Sequence, residues 1–92
     1  MIICAEFECM IHQSGSLKEK RAVLQRIMTR LKQKYNVSVA EVGHQDAWQR
    51  TSLAIVSVAS TKAASQKEVD RALAFVDSFP EWERLRTTIE SL

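Results

Sequence analysis

Residues 1–11, MIICAEFECMI, alternate with a period of two. Met1, Ile3, Ala5, Phe7, Cys9 and Ile11 fall on one side, and Ile2, Cys4, Glu6, Glu8 and Met10 on the other. Successive side chains of a strand point to opposite faces, so this segment reads as a strand with one wholly apolar face. Such a face needs cover along its full length, which places the strand inside a sheet with helices packed over its odd-numbered residues. A chain of 92 residues, 46% hydrophobic and 26% charged, has room for one domain with a modest core, and residues 1–92 are expected to form a single unit.

The opening run carries Glu6 and Glu8 and no basic residue ahead of its apolar stretch. It therefore reads as neither a signal peptide nor a membrane span, and a cytoplasmic protein without a membrane partner is expected. Cys4 and Cys9 are an odd number of residues apart on one strand, so they face opposite ways and cannot bridge to each other; both read as reduced, mostly buried thiols.

His12-Gln13-Ser14-Gly15 reads as a loop, and Ser16 with Glu19 forms an S-x-x-E capping box that opens a helix. Leu17, Leu24, Ile27, Met28, Leu31 and Tyr35 recur at helical spacing, with Leu24, Ile27, Met28 and Leu31 as the stripe and an end near Tyr35-Asn36. Val37–Val42 and Thr51–Ala59 read as two strands of a hairpin whose turn is Gly43–Arg50. A second helix is expected from about Thr61 or Ser65 to Ser78, on the stripe Val69, Ala72, Leu73, Val76 and Phe79, with Ser65 and Glu68 repeating the capping pattern and Pro80 as the stop. Leu85, Thr87 and Ile89 alternate against Arg86, Thr88 and Glu90, giving a fourth strand, with a short helix as the competing reading. Strand, helix, strand, strand, helix, strand, with right-handed crossovers, defines an α+β ferredoxin-like βαββαβ sandwich. Its antiparallel sheet has strand order 4-1-3-2 and both helices on one face.

The pieces Ser16-Leu17-Lys18-Glu19-Lys20-Arg21, His44-Gln45-Asp46 and Trp48-Gln49-Arg50, at this spacing, resemble the YlxP-like family of short bacterial proteins, a domain of unknown function. The resemblance runs from the opening MII to the FPEWER segment. It implies a ferredoxin-like fold and, because genes of the family commonly sit among translation and ribosome-maturation genes, a role near RNA or the ribosome. It implies no activity and carries over no catalytic residue.

The first helix is the most unusual feature of the charge distribution. SLKEKRAVLQRIMTRLKQK holds Lys18, Lys20, Arg21, Arg26, Arg30, Lys32 and Lys34 against the single acid Glu19, in a chain whose net charge is only +2. At about 100° per residue, Lys18, Arg26 and Arg30 face solvent, while Lys20, Arg21, Lys32 and Lys34 border the apolar stripe. Solvated helices normally interleave both signs, and cations in a first turn oppose the macrodipole by roughly 0.3 to 1 kcal/mol each. Stability alone does not favour this arrangement. A helix start flanked by Lys18, Lys20 and Arg21, with the charge continuing along the helix, suits a polyphosphate backbone. The plainer alternative is a basic surface offset by acids elsewhere.

GHQDAWQR supplies a second constellation: Trp48 to stack on a base, Arg50 to meet phosphate, Gln45 and Gln49 to hydrogen-bond. Its plainer alternative has Trp48 folded onto the sheet edge and Arg50 paired with Asp46. The nucleic-acid set is thus Lys18, Lys20, Arg21, Arg26, Arg30, Trp48, Gln49 and Arg50. His44 and Asp46 resemble a base and its orienter but have no nucleophile nearby in sequence. Cys4 and His12 on one strand face would stand about 26 Å apart, which argues against a metal, and no cofactor motif is present: with Gly15 and Gly43 as the only glycines, a P-loop is excluded. Glu6 and Glu8 read as a solvated sheet surface; they would repel phosphate, and with no aromatic beside them RNA is expected on the helix side. The third strand is apolar on both faces, Leu53 and Ile55 against Ala54, Val56 and Val58, so a homodimer through the open face or a strand edge is expected. The reading is a non-enzymatic factor that binds structured RNA or the ribosome. The alternative is a dimeric protein-interaction or small-ligand regulatory module.

Overall fold

The structure, a computed structural model, describes residues 1–92. Six elements follow in order: β1 (Ile2–Ile11), α1 (Leu17–Lys34), β2 (Ser38–Gly43), β3 (Arg50–Val58), α2 (Lys62–Asp77) and β4 (Trp82–Ser91). The sheet runs β2-β3-β1-β4 and every pairing is antiparallel, so this is the ferredoxin-like α+β sandwich expected from the order of elements.

The alternation of β1 has the predicted consequence. Ile3, Ala5, Phe7, Cys9 and Ile11 are each no more than 1% exposed, because the strand is central and its odd face lies in the core beneath the helices. Leu24, Ile27 and Leu31 of α1 and Val69, Ala72, Leu73 and Val76 of α2 complete the core with Val39, Leu53, Ile55 and Trp82. Met1, which shares their parity, lies outside the strand and is exposed. Burial pushes the Cys9 thiol up to about 12, leaving it protonated and inert at neutral pH. Cys4 on the opposite face is half-buried, its thiol raised by desolvation and by Glu90 and Glu6.

Of the two starts expected for α2 the Thr61 one holds and the Ser65–Glu68 capping pattern does not, and the facing of β4 changes. The cap of α2 is Thr61, whose Oγ1 accepts from the Ala64 amide at 3.1 Å. Ser65 is not a cap: it lies fully buried inside the helix and donates to the Met1 carbonyl at 2.5 Å, while Glu68 accepts from the Asn36 amide at 3.0 Å. Both Thr61 and Ser65 fit a capping pattern, and the one with extended backbone wins.

In β4 the pairing partners step from Phe7–Thr87 to Cys9–Arg84, so one extra residue sits in β4. Thr87 and Ile89 face the helices, but beyond the bulge Trp82 and Arg84 do so in place of Leu85. The Trp82 indole enters the core and donates to the Val76 carbonyl at 2.8 Å. The Arg84 guanidinium grips Asp77 at the end of α2 through bonds of 2.8 and 2.9 Å. That bidentate pair holds the Asp77 carboxyl below the ordinary carboxylate range.

Candidate nucleic-acid interface

The basic surface depends on how α1 begins. Ser16 Oγ accepts from the Glu19 amide at 3.1 Å, and Glu19 Oε2 accepts from the Gly15 amide at 2.7 Å, one residue earlier than a reciprocal capping box requires. The helix then runs 18 residues, about 27 Å at 1.5 Å per residue. With its stripe in the core, Lys18, Arg21, Arg26, Arg30, Lys32 and Lys34 are all exposed.

Lys20 is not among them. It is 1% exposed, with Nζ 3.1 Å from Glu41 Oε2 and donating to the carbonyls of His44 at 2.5 Å and Gln45 at 3.4 Å. The Thr51 hydroxyl donates to the same Glu41 oxygen at 2.7 Å, so the buried charge is paired and its donors are used. Lys20 therefore leaves the phosphate-facing set and becomes a tie between α1 and the β2–β3 turn. The spacing contained the signal: 20, 24, 27 and 31 form one stripe, and Lys20 lies in it rather than beside it.

Among the exposed cations of α1, Arg26 pairs with Glu81, and the Lys34 ammonium sits 4.8 Å from the centre of the Phe75 ring. Lys18, Arg21, Arg30 and Lys32 enter no ion pair. On α2, Arg71 faces Glu68 at 3.8 Å and Asp77 is held by Arg84, while Lys62 and Lys67 enter no ion pair.

The turn His44–Gln49 lies at the end of the molecule where β1 stops and α1 starts. The Gln49 carbonyl accepts from the Ile11 amide at 2.8 Å, and the Gln49 amide side chain donates to the Ser14 carbonyl at 3.3 Å. His44 has φ of 58°, a left-handed conformation that presents its carbonyl to both Lys20 and the Ala47 amide. Trp48 is 55% exposed. It borders a cleft of about 420 Å³ with Met10, Ala47, Gln49 and Arg50. Arg50 turns to Glu8 at 3.4 Å rather than to Asp46. His44 likewise stands 3.8 Å from Glu8, so the structure brings together Glu8, His44 and Arg50 where the sequence suggested His44 and Asp46. Sequence spacing does not show the Glu8 contacts because they cross the sheet.

Lys18, Arg21, Trp48, Gln49 and Arg50 thus belong to one end of the molecule, whereas Arg30 lies three turns further along α1. Met10 and Arg50 pair across β1 and β3 on the sheet face away from the helices, so the Trp48 cleft opens on that face, while the backbone of the same turn is tied to α1 through Lys20. The remaining open face of β1 and β3 carries Ile2, Cys4, Glu6 and Glu8 with Ser52, Ala54, Val56 and Val58. No helix of the chain is long and apolar enough to cross a membrane.

A family model described as "Protein of unknown function (DUF503)" matches residues 2–89. The chain belongs to this family. Within the range that DUF503 matches lie the whole of α1 and the Trp48 turn. The chain is also 58% identical over 90 residues, 98% of each protein, to the Bacillus subtilis (strain 168) protein "Uncharacterized protein YlxP", which agrees with the resemblance read from the sequence. Among solved structures, "De novo designed protein Foldit4" superposes with a TM-score of 0.61, covering 100% of this chain and 99% of that one at 14% identity. At that identity the likeness shows the fold and nothing of function.

Proposed function

We propose that this DUF503 protein is a non-enzymatic accessory factor of the bacterial cytoplasm that binds structured RNA, ribosomal RNA in particular, through the exposed cations of α1. The observation that carries the reading is that Lys18, Arg21, Arg30 and Lys32 are exposed on one helix and engaged by no acid of its own chain. Such a set neutralises phosphates and releases their counterions. Its spread, about 21 Å along the axis from Lys18 to Lys32, suits a duplex backbone rather than a single anion. Ribosomes are the target that the family resemblance implies, and free Cys4 and Cys9 suit a reducing compartment. Co-sedimentation with ribosomes, with and without nuclease treatment, tests it: the protein pellets with intact particles and is released by nuclease. Release by neither nuclease nor salt would contradict the reading.

A specific observation also supports a homodimer, whether as the state of the RNA-binding factor or as a protein-interaction or small-ligand regulatory module without RNA. Ile2 at 39% and Val58 at 58% exposure adjoin half-buried Cys4, Ala54 and Val56 on the open sheet face, an apolar surface that no element of the chain covers. Sedimentation velocity across micromolar concentrations should give twice the chain mass; a monomer throughout would remove the dimer.

A further inference from the structure

We infer that the cleft beside Trp48 takes one unpaired nucleobase, so that the RNA this protein prefers is a duplex interrupted by a bulged or looped-out nucleotide. The inference rests on the RNA reading and adds to it the kind of RNA recognised.

The backbone around Trp48 is firmly held. Lys20 Nζ reaches the carbonyls of His44 and Gln45, Ala47 closes the turn onto His44 at 3.1 Å, and Gln49 is tied through its carbonyl to Ile11 and through its side chain to Ser14. A side chain on so well anchored a turn is not exposed through slack. Yet Trp48 is left 55% exposed, whereas Trp82 is 5% exposed with its indole N–H on the Val76 carbonyl. One indole is built into the core; the other is presented.

The walls of the cleft specify the guest. Trp48 and Met10 offer flat and polarizable apolar surfaces, and Arg50 keeps free guanidinium donors because its contact with Glu8 is a single one at 3.4 Å. A planar ring with a hydrogen-bonding edge satisfies both walls. Glu8, at the same rim, excludes a phosphate. The phosphates instead meet Lys18 and Arg21 on α1, which the ties from Lys20 and Gln49 hold beside the turn. Bases within an A-form duplex keep their faces stacked and out of reach, so only a nucleotide displaced from the stack can enter while its neighbours stay on α1.

The test uses the full chain and two RNA duplexes identical except for one bulged 2-aminopurine. The bulged duplex should bind roughly 5- to 100-fold more tightly, the range expected for one base stacked on an aromatic ring, and its fluorescence should be quenched on binding. Trp48→Ala should abolish that preference and the quenching, so that the two duplexes bind alike, and Trp48→Phe should retain most of both. Equal binding of the two duplexes by the unmodified protein, or a preference that survives Trp48→Ala, would overturn the subsite while salt-sensitive duplex binding upheld the RNA reading. Failure to bind either duplex would overturn both. Acrylamide quenching of Trp48 that weakens as protein concentration rises, without RNA, would assign the indole to a contact between two copies and also overturn the inference.

Discussion

The two helices cover the same side of the same sheet, and each buries one apolar stripe in the shared core, yet their outer surfaces differ. α1 carries seven cations and one acid, whereas α2 carries Lys62, Lys67 and Arg71 against Glu68, Asp70 and Asp77. On α2 the acids are used locally: Glu68 toward Arg71 and the Asn36 amide, Asp70 on Gln66, Asp77 on Arg84. On α1 only Lys20 and Arg26 have acidic partners. Packing requires a buried stripe of either helix and says nothing about the exposed side, so the contrast isolates what folding leaves undetermined. Lys62 and Lys67 of α2 also lack an acidic partner, so the difference lies in the excess of cations on α1, which the proposed function assigns to a ligand.

The largest expected effect separates the two kinds of cation within α1 itself. Lys20→Met should cost about 3 kcal/mol of stability in urea unfolding, since it leaves Glu41 and two carbonyls without their buried donor. Lys18→Ala, two residues earlier and in solvent, should change stability by less than about 0.5 kcal/mol. If the two variants unfold alike, Lys20 is not the tie described.

A smaller effect belongs to α2 and depends on pH. Asp77 has a lowered pKa in the fold because Arg84 hydrogen-bonds its charged form. The pair therefore contributes stability at pH above the ordinary carboxylate range near 4, and that contribution fades as pH falls through the folded-state value. Asp77→Asn should cost at most about 1 kcal/mol at pH 7, in keeping with a partly exposed pair. The gap between this variant and the unmodified protein should close on acidification toward about pH 3 in thermal melts. A gap that widened instead would contradict the pairing.

Smallest in energy is the difference between the two thiols. Cys4, half-buried on the open face, should react slowly with a maleimide in the folded protein, and Cys9 should react only on unfolding, as mass spectrometry would show. Slower labelling of Cys4 at higher protein concentration would further indicate that a second copy covers that face.

The parts of this molecule legible from sequence are those governed by local period and local caps. β1 alternates over its full length, and α1 announces its start at Ser16 and its stripe at Leu24, Ile27 and Leu31. The order of elements then leaves few topologies open. What was not legible depended on contacts across the chain. Spacing sets Lys20 in the stripe, but its partner Glu41 lies on another element. Arg50 turns to Glu8 across two strands rather than to nearby Asp46. Trp82 and Arg84 face the helices because a single extra residue in β4 reverses the alternation, a one-residue shift that moves every side chain beyond it to the other face. At the interface, the exposed cations of α1 follow from spacing alone, but the tie that sets the Trp48 turn beside them does not.

The contrast between the helices is tested most directly by RNA filter binding across roughly 50 to 200 mM salt, with two triple reversals compared. Lys18→Glu/Arg21→Glu/Arg30→Glu on α1 should nearly abolish binding and lower the salt slope by roughly 2 to 3, since each phosphate contact removed lessens it by about 0.7 to 0.9. Lys62→Glu/Lys67→Glu/Arg71→Glu on α2 should leave both close to those of the unmodified protein. If both reversals bind as the unmodified protein does, or weaken it equally, the basic helix is a solvated surface and the RNA-binding account is wrong.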